Sequence, residues 1–374
     1  MRYKNANIFV DDHFIPGSFT VENGIFTEIS EDTSGTGEDL AGAYVIPGLI
    51  DIHNHGNSGA DFSDGGDEGL QRMARYLAQN GVTSFAPASM TLPYDVLARA
   101  FASAARLKAA APAGCAHLMG IQMEGPFFSE KKKGAQNAAY LRLPDFEAFM
   151  ALQEGCGGLV RIVDVAPELP GAVEFTRAAS RVCTVSVAHT AANYDEAAAV
   201  FDAGAAHLTH LYNAMPPLHH RDPGPIGAAA ERESVRAELI CDGIHVHPSA
   251  VRLAFRLFGR ERMCLISDAL RCCGMPDGQY TLGGQDVFLA GGVARLADGT
   301  IAGSATNLYD CMLNAIRFGI AREDTILAAT RNPARALGCA DVCGSIAVGL
   351  RADFVICDAA LHRRKVYLAG SECK

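Results

Sequence analysis

Six side chains in this sequence could together hold a metal ion and activate water. His53 and His55 flank Asn54, so on an extended strand both imidazoles point to one side. Glu124, His189, His210 and Asp268 follow at long intervals, each just after a short apolar run. A lone His-x-His is a weak signal, but the same pair followed by a glutamate, two histidines and an aspartate in equivalent places is a much stronger one. Imidazole and carboxylate ligation suits Zn²⁺, Fe²⁺ or Mn²⁺, and it is hydrolytic in character when one position stays open to water. A purely structural role would leave many buried polar groups without a task.

The apolar runs that would position these residues number eight: 48–52, 83–88, 117–123, 160–166, 183–188, 205–209, 236–240 and 263–267. Amphipathic stretches such as DEGLQRMARYLAQNG and YDEAAAVFDAG lie between them, several closed by a glycine that suits a helix C-terminus. Strands alternating with helices predict a parallel sheet, and eight repeats predict closure into a barrel. Barrel active sites lie at the C-terminal ends of the strands. There this sequence carries Asp51 to His55, Glu124, Glu168, His189, His210, Asp242 to His245, and Asp268. Run two, ending in Pro-Ala-Ser-Met-Thr, is the exception. The fold expected is α/β: a (β/α)8 TIM-like barrel over residues 48–343. Residues 1–47 and 344–374 alternate apolar and polar with turn residues at the breaks. Neither could bury a core alone, so both chain ends are expected to form one small β-sandwich domain. A Gly- and Asp-rich segment after the eighth run predicts a β-hairpin insertion before a last barrel helix near 306–318.

Net charge is −10 over 374 residues, and no basic block exceeds Lys131-Lys132-Lys133, which reads as a solvated loop face. This argues against a nucleic-acid or anionic-membrane partner. A phosphorylated ligand would need local positive groups. Twelve cysteines without regular spacing suit buried thiols in a reducing compartment, and the Cys272-Cys273 pair has no redox or metal spacing. The segment MRYKNANIFVDDHF lacks a long apolar region, and no run is long enough to span a membrane. The location expected is cytoplasmic. Among the other histidines, His207 lies three residues before His210, on the opposite face of an ideal strand, and reads as a packed or hydrogen-bonded group. His117 lies at the wrong end of its strand, and His219, His220 and His247 read as solvated loop residues.

The segments PGLIDIHNHG, GIQMEGPFFSEKKKGAQN, VAPE, VAHT, THLYNAMPPLHHRDPG, CDGIHVHP, LISDALR and TIAGS span nearly the whole barrel. In them the sequence resembles the N-acetylglucosamine-6-phosphate deacetylases of the amidohydrolase superfamily. THLYNAMP followed by Arg221 is the most specific, being long. The resemblance implies that Glu124, His189 and His210 hold one divalent metal and that His53 and His55 match a pair holding a second in some members, so one or two ions per subunit. It implies Asp268 as the catalytic acid/base. It implies substrate contacts from Ala135, Gln136, Asn213, Ala214, Arg221, His245, Ala302, Gly303 and Ser304, with a small phosphorylated amino sugar as substrate. It further implies a homodimer in which Arg221 reaches the neighbouring active site. Gln136 stands where the family commonly has histidine, and Cys272-Cys273 where small residues are usual.

Three other readings compete. One is the same chemistry on N-acetylgalactosamine 6-phosphate, which differs at one hydroxyl. Another is a cyclic-amide hydrolase such as a dihydroorotase or hydantoinase; members of that group often use a carboxylated lysine on strand four, and VRIVDVAPE contains none. The third is a non-catalytic scaffold, which would be expected to have lost metal ligands that are all present here.

Overall fold

The computed structural model describes residues 1–373. Eight parallel strands form the central layer: β1 (Leu49–Asn54), β2 (Val82–Pro87), β3 (Ile121–Met123), β4 (Val160–Val165), β5 (Thr184–Val187), β6 (His207–Leu208), β7 (Arg236–Ile240) and β8 (Met263–Ile266). β1 pairs with β2, and β3 to β8 pair in sequence. Single parallel bridges, Ala88 to Gln122 and Asn54 to Ala269, join the two groups and close the ring. All eight apolar runs therefore become barrel strands. Run three is broken: His117–Leu118 pairs with β2, and only Ile121–Met123 enters the β3–β4 ladder.

Each strand leads to a helix: α1 (Asp67–Gln79), α2 (Tyr94–Ala110), α3 (Phe146–Gly155), α4 (Ala172–Ala179), α5 (Tyr194–Asp202), α6 (Gly224–Ala230), α7 (Pro248–Phe258) and α8 (Leu308–Arg317). α1 buries Leu70, Met73, Ala74 and Leu77, the i, i+3, i+4, i+7 stripe of a helix covering a sheet. α5 opens with a capping box in which Asn193 and Glu196 each satisfy the other's backbone N–H. α7 carries Pro248 in its first turn, and the exposed His247 ring, solvated as expected, caps the helix by accepting from the Ser249 N–H.

Strands from the two chain ends pair as one eight-stranded sheet, drawn from residues 2–47 and 354–372. Tyr3, Phe19, Phe26, Phe354 and Tyr367 pack there in a cluster of their own. The expected hairpin insertion has a third strand: Gly278–Leu282, Gln285–Ala290 and Val293–Leu296 are all antiparallel. Its two turns are Gly283-Gly284 and Gly291-Gly292, all four with positive φ, which suits tight two-residue hairpin turns.

Close packing at the entry to the barrel yields a stability test. A Cβ on Gly48 would lie 2.1 Å from Thr83 Oγ1 and 2.3 Å from Thr83 Cγ2, on a buried β-branched side chain that has little freedom to move. Gly69 lies inside α1, where an added Cβ meets only Ala60 Cβ at 3.4 Å. Urea unfolding should show Gly48→Ala less stable by about 1–3 kcal/mol, and Gly69→Ala more stable by up to about 1 kcal/mol.

Candidate metal centre and active site

The site is built on the loops that leave β1, β3, β5, β6 and β8. His189, His210 and Asp268, just beyond β5, β6 and β8, have φ of 43°, 29° and 49°. This left-handed backbone is unfavourable for a side-chain-bearing residue and is held only where the surroundings demand it. Each demand is visible. Asp268 N–H donates to His53 O at 2.9 Å, and Asp268 O accepts from Ser304 N–H at 2.7 Å. The His210 N–H donates to Glu238 Oε2 at 3.2 Å. Beside His189, the Glu168 carboxylate accepts from Thr190 Oγ1 (2.5 Å) and Ala191 N–H (2.6 Å).

These turns bring the predicted ligands together. Among the described residues, His53, His55 and Glu124 form one group, and Glu124, His189 and His210 another, with the ligand atoms of each group within 4.8 Å of one another. Glu124 is the common member. Its Oε1 lies 3.2 Å from both His189 Nε2 and His210 Nε2, which are 3.1 Å apart. Oε2 lies 3.4 Å from His55 Nε2. His189 Nδ1 donates to Lys132 O at 2.9 Å, so its Nε2 carries a lone pair. His55 Nδ1 likewise faces Ala88 O at 3.2 Å. Lone pairs and a carboxylate thus converge on one spot, and His53 Nε2 is buried there with no hydrogen-bond partner. This donor set fits a divalent cation, and the sharing of Glu124 fits one ion or two.

The electrostatics agree. Burial opposes charge on Glu124, yet the surrounding imidazoles, His55 foremost and then His189, His210 and His53, hold its carboxyl well below the usual range. Burial also opposes charge on His53, but the Glu238 and Glu124 carboxylates outweigh it and push the imidazole pKa well up. The pocket therefore draws positive charge to its centre. Asp268 Oδ1 sits beside it, 3.3 Å from His55 Nε2 and 3.7 Å from His53 Nε2. Burial would raise the Asp268 pKa, but the His55 hydrogen bond and the neighbouring imidazoles lower it, so the carboxylate is ready to accept a proton.

Above these groups lies a cleft of about 230 Å³, lined by His55, Glu124, His189, His210 and Asp268 on its floor. Ala135, Gln136, Asn213, Ala214, His245 and Gly303, expected to contact the substrate, also line it. His245 is aimed by Asp242, whose Oδ2 accepts from Nδ1 at 2.6 Å. Gly303 (φ 61°) admits no side chain, since a Cβ would meet Leu270 Cδ2 at 2.8 Å and Asp268 O at 2.9 Å. Gln136 has both ends of its amide engaged. Oε1 accepts from Thr91 N–H at 2.7 Å and Nε2 donates to Glu124 Oε2 at 2.5 Å, so it braces the shared carboxylate.

Three predicted contacts lie elsewhere. Ala302 and Ser304 are buried beside the cleft, and Ser304 Oγ donates to Ser267 O at 2.6 Å, fixing the end of β8. Arg221 is exposed on the loop before α6, within hydrogen-bond distance of His220 Nε2, and lines a separate hollow with Asp195 and Glu231. The sequence reading missed Met90, Leu282, Thr300 and Ile301, which wall the cleft from the β2 loop and the insertion. It also missed Glu238, fully buried in mid-β7, with His207 Nε2 at 3.2 Å from Oε1 and His53 Nδ1 at 2.9 Å from Oε2. The signal was present: a carboxylate inside an apolar run. His207 is hydrogen-bonded as expected, to Glu238, and belongs to neither ligand group.

A model described as the amidohydrolase family matches residues 44–372, and the chain belongs to that family. Within it, the chain is similar to the N-acetylglucosamine-6-phosphate deacetylase of Bacillus subtilis (strain 168). The two are 40% identical over 320 residues, covering 84% of this chain and 81% of that protein. It is also similar to the N-acetylgalactosamine-6-phosphate deacetylase of Escherichia coli O157:H7, 35% identical over 369 residues, covering 97% and 95% of the two chains. A solved structure of N-acetyl-D-glucosamine-6-phosphate deacetylase from Mycobacterium smegmatis, a mutant in complex with N-acetyl-D-glucosamine-6-phosphate, matches with a TM-score of 0.94 at 32% identity. That match covers 100% of this chain and 99% of the other.

Metal analysis tests the geometry. Glu124→Ala should emerge from purification without stoichiometric metal, since it removes the member common to both groups. His117→Gln, at the opposite end of the barrel, should bind metal as the unaltered protein does.

Proposed function

We propose that the chain hydrolyses the acetamide of N-acetyl-D-glucosamine 6-phosphate to D-glucosamine 6-phosphate and acetate. The observation that carries this reading is the placing of Asp268 beside the Glu124–His189–His210 group on the floor of a cleft that fits one small polar ligand. Glu124, His189 and His210 would hold one Zn²⁺, Fe²⁺ or Mn²⁺, and His53 and His55 with Glu124 a second. Such a cation, when bound, polarises the acetyl carbonyl and acidifies water toward pKa ~7.

The chain's own residues supply the proton movements. The Asp268 carboxylate takes a proton from the water that adds to the acetyl carbon, then delivers it to the amide nitrogen as the C–N bond breaks. His245 Nε2, aimed because Nδ1 is tied to Asp242, donates toward the developing oxyanion; one such donor is typically worth ~3 kcal/mol. Asn213 and Ala214 sit where they would contact the distal part of the sugar. No lysine or arginine lines the cleft among the described residues, so the phosphate needs a cation from elsewhere.

Arg221 of a second copy is that cation in our reading, which makes the protein a homodimer. Supporting this, an apolar groove formed by Tyr212, Met215, Leu218, Ala250, Leu253 and Leu257 adjoins the Arg221 loop, with Leu218 and Leu253 more than half exposed. We read residues 1–47 with 344–374 as a small β domain of sandwich type and 48–343 as the catalytic barrel. The separate aromatic cluster of the terminal sheet supports that division. We place the protein in the cytoplasm, a location supported by twelve cysteines without disulfide partners. No helix among the described residues is long and apolar enough to cross a membrane.

Steady-state kinetics on both N-acetylhexosamine 6-phosphates, with defined metals returned to metal-free protein, tests the reading. A faster reaction on the galacto sugar would transfer it to that substrate. Asp268→Asn should retain metal and substrate binding yet lose turnover by orders of magnitude; near-normal turnover would remove Asp268 from its role. Arg221→Ala should raise KM strongly for the phosphorylated sugar and little for the unphosphorylated one.

A further inference from the structure

Glu238 is a carboxylate without water contact in the middle of a barrel strand. β7 alternates: Ala237 and Leu239 join the main core beneath the helices, while Glu238 shares the other face with Ile240. A buried charge there is costly unless it is fully paired. Pairing alone does not account for its choice of partners. Oε2 meets His53 Nδ1 at 2.9 Å and the His210 backbone N–H at 3.2 Å, and Oε1 meets His207 Nε2 at 3.2 Å. Two of the three belong to residues whose imidazoles face Glu124.

The four imidazoles around Glu124 are backed differently. His55 and His189 place Nδ1 against the neutral carbonyls of Ala88 and Lys132. His210 Nδ1 is buried without a partner. Only His53 is backed by a carboxylate. An acceptor-only group at Nδ1 keeps the proton there, so the nitrogen left to ligate a cation is Nε2, the unpartnered atom that faces Glu124 Oε1 at 3.5 Å. A carboxylate behind an imidazole also makes the ring a stronger donor to a metal.

We propose that Glu238 is the positioning residue that makes His53, His55 and Glu124 a working second metal site, by fixing the orientation and tautomer of His53 from behind. The same oxygen anchors the backbone at His210, so Glu238 ties the geometry of the second site to that of the first. This rests on the metal-dependent reading above but not on the identity of the sugar.

The test is metal binding itself. Metal-free protein is titrated with Zn²⁺ and followed by calorimetry and elemental analysis, with no substrate present. The unaltered chain should take up two ions. Glu238→Gln should keep the first ion within a few-fold of normal affinity and bind the second ~10- to 100-fold more weakly. Added to His53→Asn, the same substitution should weaken the second ion no further. Uptake of a single ion by the unaltered chain, two ions held normally by Glu238→Gln, or both ions weakened equally would each overturn the proposal. Should Glu238→Gln not fold, ¹⁵N NMR of the unaltered Zn²⁺-loaded protein decides. The expected spectrum shows a protonated His53 Nδ1 and a metal-shifted Nε2; a protonated Nε2 or a metal-shifted Nδ1 would overturn it. Two-ion binding without deacetylation would instead reject the reaction proposed above and leave this role for Glu238 intact.

Discussion

One carboxylate organises this molecule's chemistry. Glu124 stands at the end of β3 with four imidazoles facing its two oxygens. Taken alone it would be a poor stabilising element, because a buried ion costs several kcal/mol in lost hydration. Surrounded by lone-pair donors and by the further carboxylates of Asp268 and Glu238, it becomes the centre of a cavity with excess negative charge. Positive charge entering such a cavity relieves the repulsion between its carboxylates, and a divalent cation is the compact way to supply that charge. Metal binding and local stability are therefore coupled at this point.

The rest of the barrel maintains that arrangement. Closing the ring required parallel strands whose outer faces are apolar and covered by helices. The inner face carries a second apolar cluster of Ile50, Ile52, Ile162, Ile240 and Ile266. Around it, Asp51, Asp164 and Glu238 are fully buried as well. Burial, together with repulsion from Glu238 and Glu124, pushes the Asp164 pKa well up, and Thr209 Oγ1 donates to its Oδ1 at 3.0 Å. Three of the residues that carry the chemistry, His189, His210 and Asp268, adopt left-handed φ. The hydrogen bonds that hold these turns, accepted by the Glu238 carboxylate and the His53 carbonyl and donated by the Ser304 N–H, are part of the site in a physical sense, although none of these three residues lines the cleft.

Much of this was readable in the sequence because strand periodicity is a strong signal. The eight apolar runs, the helix α8 within 306–318, and the meeting of both chain ends in one sheet all followed from pattern and turn residues. So did the convergence of Glu124, His189 and His210, since residues just past barrel strands must share one face of the molecule. Other features depend on distances that no pattern encodes. Gln136 lines the cleft, but that its amide would be taken up by Glu124 and Thr91 could not be read from the sequence. That pairing depends on how the 129–145 loop brings Gln136 to Thr91, beyond the end of β2. Glu238 was hidden in an apolar run, although a charged residue there is itself a sign of buried polar work. The second hairpin turn in the insertion was legible, as Gly291-Gly292 repeats the Gly283-Gly284 signal.

The most direct test of the central claim is an anomalous-difference map from crystals of the metal-loaded protein. The account predicts a peak about 2.0–2.2 Å from a Glu124 oxygen and from the Nε2 atoms of His189 and His210, with any second peak on the His53 and His55 side of the same carboxylate. Metal bound away from Glu124, or a Glu124 carboxylate turned out of the coordination sphere, would contradict it.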